Sequence, residues 1–497
     1  MSLYGGITLP GRPDLENVRR LDLLAIPMIR QARRLGMAID PPHFHELTSK
    51  FSAEVAELEH DITNYIPIER LREFSDAGTD AEDEDKDLSG PGVPEASGAS
   101  VTVTFNASSP EQIGKLLWDV LGIGGDKKLK RTKGGEISTG KKQLELVKLD
   151  HPVVPLVLRH RELKTLIKNY TVKIPRLALW HPAGSCCPVC ELAHRSGAWR
   201  VHGEMGTTRA ETGRINHKNP NLGNIPTRTP DGQAVQAGFI APPGYRLVNR
   251  DLSQIELRCL AHLANCKSMI EVYEHDGDIH DDTCHRALGV PWDEKPDKFK
   301  HRMAAKRCNF GIQNGTTEKG LYLQLVMDLG TNKEPVPGWL TETWCAGFIE
   351  AWLDSRPEVR EYFDLQHYRA RRYGMVWDAF GRVRLIPEVR STHSWIKQAG
   401  LRQAQNLPVT ATAAGQLKLS MGMVEEALTD LRASGMWAWP VLTIHDAIKV
   451  ECEEEWAEDV LEVLGTAMDG CMDDRESGER MFRVPIKSDG ETMERWK

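Results

Sequence analysis

The chain has no apolar run approaching the ~18 residues of a membrane span. Its start, MSLYGGITLPG, lacks the basic residues and the apolar stretch of a signal peptide. A soluble, intracellular protein is expected. Cysteine is sparse, ten in 497 residues, and several sit in apolar contexts, Cys259 and Cys308 among them. That usage suits reduced thiols in a reducing compartment and argues against a disulfide framework. No internal repeat is visible. Net charge is also scarce outside one segment: residues 76–99 hold eight acids against Lys86, −7 of the formal −8. Rich in Gly, Pro and Ser and without hydrophobic period, that segment is expected to be a disordered acidic insert. The near-neutral remainder contains a basic cluster, Lys127, Lys128, Lys130, Arg131, Lys133, Lys141 and Lys142, able to neutralise phosphates or to form an ordinary solvated face.

A mass of 55.8 kDa with 40% hydrophobic residues predicts two to four subdomains with sizeable cores. Residues 14–66 carry apolar positions at helical spacing, and SPEQIGKLLWDVLGI starts with Ser109 as an N-cap. Another helix is predicted over 151–171. Residues 176–250 read as strands and loops, 255–370 as mainly helical, and strands return near 376–387 and 441–451, joined by a long helix through 395–430. The alternation predicts an α+β fold, a sheet platform flanked by helical lobes.

Two carboxylates end apolar strands. Asp251 follows Tyr245, Leu247 and Val248, and Asp446 interrupts VLTIHDAIKVE. A polar hairpin tip is one reading of His445–Asp446; a partner elsewhere is the other. Meeting on one sheet, the two aspartates would suit Mg²⁺, a hard cation that binds through carboxylates and substrate phosphates. In HRMAAKRCNFGIQNG, residues Arg302, Lys306, Phe310 and Asn314 recur every four positions, a stripe suited to a triphosphate and a sugar or base. Gly311 and Gly315 speak against a purely structural helix there.

These stretches resemble the three polymerase motifs of family-A DNA polymerases: DLSQIELRCLAHL, RMAAKRCNFGIQNG and IHDA. TGRINHKNPNLGNIP (212–226), DIHDDTC (278–284) and LRQAQNLPVTATAA (401–414) are similar to further family segments, in order. The resemblance implies a right-hand polymerase: an N-terminal lead-in over 1–40, a thumb over 41–175, palm over 176–257 and 403–497, and fingers over 258–402. It implies two Mg²⁺ ions held by Asp251, Asp446 and the Leu252 carbonyl, one activating a primer 3′-hydroxyl and the other neutralising the triphosphate. By the same resemblance Arg302, Lys306 and His280 contact the triphosphate, with Lys306 protonating pyrophosphate. Gln254 and Asn314 line the nucleotide site, Phe310 packs on the sugar, and Glu256 excludes ribonucleotides. Arg214, Asn221, Arg402, Asn406 and His445 contact primer–template DNA without reading its sequence.

The sequence departs from the family's pattern at four positions. Ala447 replaces the acid that usually follows the last aspartate, Leu252 and Asn314 replace tyrosines, and Thr410 replaces a glutamine. A divergent, viral polymerase is suggested, acting in a bacterial cytoplasm or an infected host cell. Thumb-like helices begin near the start, so no intrinsic 3′–5′ exonuclease is expected, and the acidic insert is a candidate docking point for replication partners. A catalytically impaired primer–template DNA-binding protein and a single-subunit RNA polymerase are the alternatives; the first is opposed by the presence of both aspartates, Arg302 and Lys306, the second by Glu256 and Phe310.

Two weaker signals remain. HPAGSCCPVCELAHRSG (181–197) has zinc-knuckle spacing, with Cys187, Cys190 and His194 as ligands and Cys186 or His181 as the fourth, against surface thiols. GEISTGKK fails the phosphate-loop pattern at Lys142 and has no preceding strand. In DIHDDTCH the acids are expected to face mostly apart.

Overall fold

The computed structural model describes residues 3–74, 105–125, 129–132, 134–184, 186–227, 229–331 and 334–496. The acidic insert at 76–99 and Lys127, Lys128 and Lys133 of the basic cluster lie outside these residues. The chain divides into two compact units, one of residues 1–39, 178–225 and 239–497, the other of residues 40–177 and 226–238. Residues 226–238, expected within the palm, thus group with the helical segment. No helix among the described residues is long and apolar enough to cross a membrane.

The periodic stretch at 14–66 forms three helices: α1 (Leu15–Leu24), α2 (Ile26–Leu35) and α3 (Pro41–Thr63). Gly36 ends α2 with positive φ, and strand β1 (Met37–Ile39) intervenes. The second unit is built from α3, whose Asp40 cap accepts from the His43 amide at 3.3 Å, packed along α4 (Val153–Leu166). Its core gathers Ile62, Leu116, Leu117, Leu144 and Val157. Ser109 caps a helix as expected, accepting from the Gln112 amide at 3.3 Å.

In the first unit, β2 (Ala178–His181) and β3 (Ala198–Val201) form a sheet with β1, and β4 (Glu204–Gly206) pairs with β5 (Asn216–Lys218). The main sheet is antiparallel. It contains β6 (Tyr245–Leu252), β9 (Ala438–Ile444), β10 (Ala447–Glu453) and β11 (Ser488–Met493) in the order β11–β6–β10–β9. A small hairpin, β7 (Met375–Trp377) with β8 (Val383–Leu385), lies between helical segments. The helices that carry site residues are α5 (Ile255–Ala264), α6 (Ile279–Leu288), α7 (Met303–Gln313) and α8 (Ser394–Ala433).

Helix α8 runs 40 residues through Pro408. Its middle is buried, and a Cβ at Gly415 would come within 2.3 Å of the Phe380 ring, so only glycine permits that approach. Lys418 on the same helix is buried and donates to Asp22 at 2.6 Å. Beneath the sheet, Arg200 of β3 and Glu451 of β10 form a fully buried ion pair, with Arg200 also donating to the Gly36 carbonyl at 3.2 Å. A buried charge needs such a partner. All ten cysteines are free thiols.

Candidate active site

His445 and Asp446 are the turn of the β9–β10 hairpin, with His445 in the left-handed region at φ 53°. The tight polar turn is therefore present. Antiparallel register places Ala447 opposite Asp251, and the Leu252 amide donates to the Asp446 carbonyl at 3.2 Å. On the other side of β6, Asp489 of β11 stands opposite Asp251. The sequence reading missed this acid, because β11 is six polar-rich residues with no apolar alternation to mark a strand.

Acids gathered around the end of β6 repel one another. The Asp446 carboxyl is pushed up to about 7 by burial, then by the Glu256 and Asp251 carboxylates, with Arg214 partly offsetting them. Asp251 is also raised, mainly by burial; Lys449 opposes the shift and Asp489 adds to it. Asp251 and Asp446 are hard-oxygen carboxylates whose mutual repulsion a divalent cation would relieve. Ala447 contributes no carboxylate; Asp489 adds negative charge beside Asp251.

Gln254 has φ 51° at the start of α5, which turns the chain sharply out of β6. Its side chain accepts from the Tyr273 hydroxyl at 3.2 Å. One turn into α5, Glu256 is held by Arg214 and Gln313. Arg214, expected to contact the duplex, is thus engaged within the site.

The four-residue stripe is shorter than its spacing suggests. Arg302 lies in a wide helical turn before α7, Lys306 is exposed, Phe310 is half-buried, and α7 ends at Gln313. Asn314 is the cap: it donates to the Phe310 carbonyl at 2.7 Å and accepts from Asn406 at 2.6 Å. Gly315, at φ 65°, lies just past the end of α7 beside the Arg402 side chain, where a positive φ favours glycine. Thr410 turns its hydroxyl onto its own helix, to the Asn406 and Leu407 carbonyls at 3.2 Å.

The acids of DIHDDTCH do not all diverge. Asp278, the cap of α6, and Asp281 converge on Arg302, the first at 2.6 Å, while Asp282 pairs with Arg286 and Arg356. His280 is buried, and burial holds its imidazole down to about 4. Its Nδ1 accepts from the Asn309 amide at 2.8 Å. Asn309 is fixed in that orientation because its Oδ1 accepts from Trp352 at 2.6 Å and Thr283 at 2.9 Å. The remaining His280 nitrogen therefore carries the proton. Asn309 is buried mid-helix and gave no sequence signal.

Asn221 is exposed at the start of a short turn, Leu222–Asn224. His445 is exposed near His217, whose own pKa it helps to lower. His181, Cys187, Cys190 and His194 gather away from the acids, and Cys186 is exposed outside that group.

The family model for DNA polymerase family A matches residues 94–497. The chain belongs to DNA polymerase family A. It is 34% identical over 366 residues to DNA polymerase I, thermostable, of Thermus aquaticus, covering 74% of this chain and 39% of that protein. It is 32% identical over 367 residues to DNA polymerase I of Pseudomonas aeruginosa, covering 74% and 36%. The chain thus spans well under half the length of these relatives. Its fold is that of the POL domain of Pol1 from M. smegmatis, solved in complex with DNA primer-template and dNTP: TM-score 0.72, 23% identity, 97% of this chain and 72% of that one. The α+β architecture is the family's right-hand polymerase fold.

Proposed function

We propose that this family-A chain carries out template-directed DNA synthesis, extending a primer 3′-hydroxyl with deoxynucleoside triphosphates. The observation that carries the reading is that Asp251, near the end of β6, lies opposite Ala447, so that Asp446 in the turn before β10 feels the Asp251 and Glu256 carboxylates while Asp489 faces Asp251 from β11. In this reading Asp251, Asp446 and the Leu252 carbonyl hold two Mg²⁺ ions, which when bound supply hydroxyl activation and charge neutralisation for nucleotidyl transfer.

The chain's own residues do the rest. Arg302 exchanges its carboxylate partners, Asp278 and Asp281, for phosphate oxygens, and Lys306 adds an exposed ammonium one turn along the helix and protonates the leaving pyrophosphate. His280, its Nδ1 occupied by Asn309, presents an Nε2–H donor. Phe310, 5.8 Å from the His280 ring, forms the apolar wall for the sugar, and Gln254 and Asn314 contribute to the nucleotide site. Glu256, held by Gln313, is the barrier at the 2′ position. Asn221, Arg402, Asn406 and His445 then position primer–template DNA, joined by Arg214 once substrate draws it from Glu256.

In this reading the fingers are residues 258–402, the palm 176–257 and 403–497, and the thumb 41–175. The reading assigns the described residues of both units to synthesis and none to trimming. Extension of a labelled primer on a DNA template tests it: dNTPs with Mg²⁺ lengthen the primer, rNTPs do not, and a mismatched 3′ nucleotide stays in place. Extension with rNTPs at comparable rate, or release of the mismatched nucleotide by pure chain, would contradict it.

A further inference from the structure

The four residues of the β2–β3 connection combine into a site separate from the acids. His181 ends β2, Cys187 and Cys190 form a tight knuckle, and His194 lies on its exit. The backbone builds this knuckle. Gly184 and His194 exchange two amide hydrogen bonds of 3.0 Å, the Cys187 amide donates to the Leu192 carbonyl at 2.9 Å, and Glu191 takes a left-handed φ of 56° while donating to Cys187 at 2.7 Å. Arg34 clamps the loop from outside through the Cys190 and Glu191 carbonyls.

All four side chains are buried, His181 and His194 at 0% and 4% exposure and both cysteines at 1%. One ligand atom from each lies within 4.8 Å of the others, and Cys190 Sγ is 3.0 Å from His194 Nε2. Ligand atoms around a tetrahedral ion with sulfur and nitrogen bonds stand roughly 3.3–3.8 Å apart, so holding an ion needs shifts of only about an ångström, the wider pairs closing and the Cys190–His194 pair opening slightly.

Hydrogen bonding prepares His181 for that role. His202 Nδ1 lies 2.8 Å from the Arg33 carbonyl, which can only accept. In the neutral ring the His202 Nε2 is then the acceptor, and His181 Nε2, 3.0 Å away, donates to it. His181 Nδ1 is left with an unshared pair, buried and without a hydrogen-bond partner. An imidazole whose second nitrogen donates to a fixed acceptor is the usual arrangement of a metal-bound histidine. Buried polar atoms without partners are otherwise costly.

We infer that His181, Cys187, Cys190 and His194 form a closed structural Zn²⁺ site that ties the β2–β3 connection to the end of β2. Two thiolates and two imidazoles select a soft-to-borderline tetrahedral ion, and four protein ligands leave no open position for chemistry. Cys186, exposed and outside the cluster, is not a ligand.

The test is metal content of the full chain, expressed with added zinc and purified without chelator or a histidine tag. About one zinc per chain is expected, unchanged in Cys186→Ser and reduced at least about tenfold in Cys190→Ser and His181→Asn. Replacing zinc by Co²⁺ should give the visible bands of a tetrahedral thiolate-bound ion. Should the ligand variants fail to fold, the wild-type protein still decides. Zinc below about a tenth per chain with no tetrahedral cobalt spectrum, or a Cys187–Cys190 disulfide in the purified protein, would overturn the site. So would zinc that persists in soluble Cys190→Ser.

Discussion

Asp446→Asn removes a charge that the folded protein accommodates poorly. The carboxyl rises from an ordinary 3.8 to about 7, through burial first and the Glu256 and Asp251 carboxylates second. At about 1.4 kcal/mol per pKa unit, the ionised aspartate costs the metal-free fold on the order of 4 kcal/mol as a ceiling. The sign follows from the direction. A raised folded pKa means that the folded state binds the proton more tightly, so stability is full below the unfolded value near pH 4 and is lost as pH rises through about 7. Asparagine has nearly the same shape and never ionises. Denaturant melts in a chelating buffer should therefore show Asp446→Asn more stable than wild type at pH 8, with the gap closing towards pH 4. Mg²⁺ should narrow the gap at pH 8 by stabilising wild type, since it binds only the folded carboxylate pair. A variant no more stable than wild type at pH 8, or a gap that does not depend on pH, would refute this electrostatic account. The same substitution should abolish synthesis, so the site trades stability for activity.

Arg200→Met strands the buried Glu451 carboxylate and should cost about 3–5 kcal/mol, whereas Arg200→Met with Glu451→Leu should recover most of that in the same melts. Gly415→Ala drives a methyl towards the Phe380 ring, 2.3 Å from the new Cβ, and should lower stability by about 1–3 kcal/mol. Unchanged melting would mean that α8 can shift away from the β7–β8 hairpin. Glu256→Ala should raise rNTP incorporation relative to dNTP by about tenfold or more in competitive primer extension, and unchanged discrimination would remove Glu256 from the sugar barrier.

The ordered motifs carried most of what the sequence could reveal. β-Branched runs ending in Asp251 and Asp446 announced two strand ends, and the family resemblance made them neighbours before the sheet order was known. Asp489 was hidden because its strand, SDGETM, is too polar to read as one; only pairing with β6 defines it. Asn309 was hidden for another reason: a helix-interior asparagine becomes informative only when Trp352, Thr283 and His280 arrive from other helices. The four-residue spacing overextended α7, because periodicity continues past a helix end while Gly315 sets where it stops. At the cysteine-rich loop, ligand spacing named three residues, and burial chose His181 over Cys186 as the fourth.

Single-turnover incorporation of one dNTP onto a labelled primer, comparing wild type with Asp251→Asn and Asp446→Asn, tests the central assignment most directly. The account predicts a fall of about 10³-fold or more in each variant with duplex binding intact, since each removes a carboxylate ligand of the proposed cations. Either variant retaining the wild-type rate would contradict it.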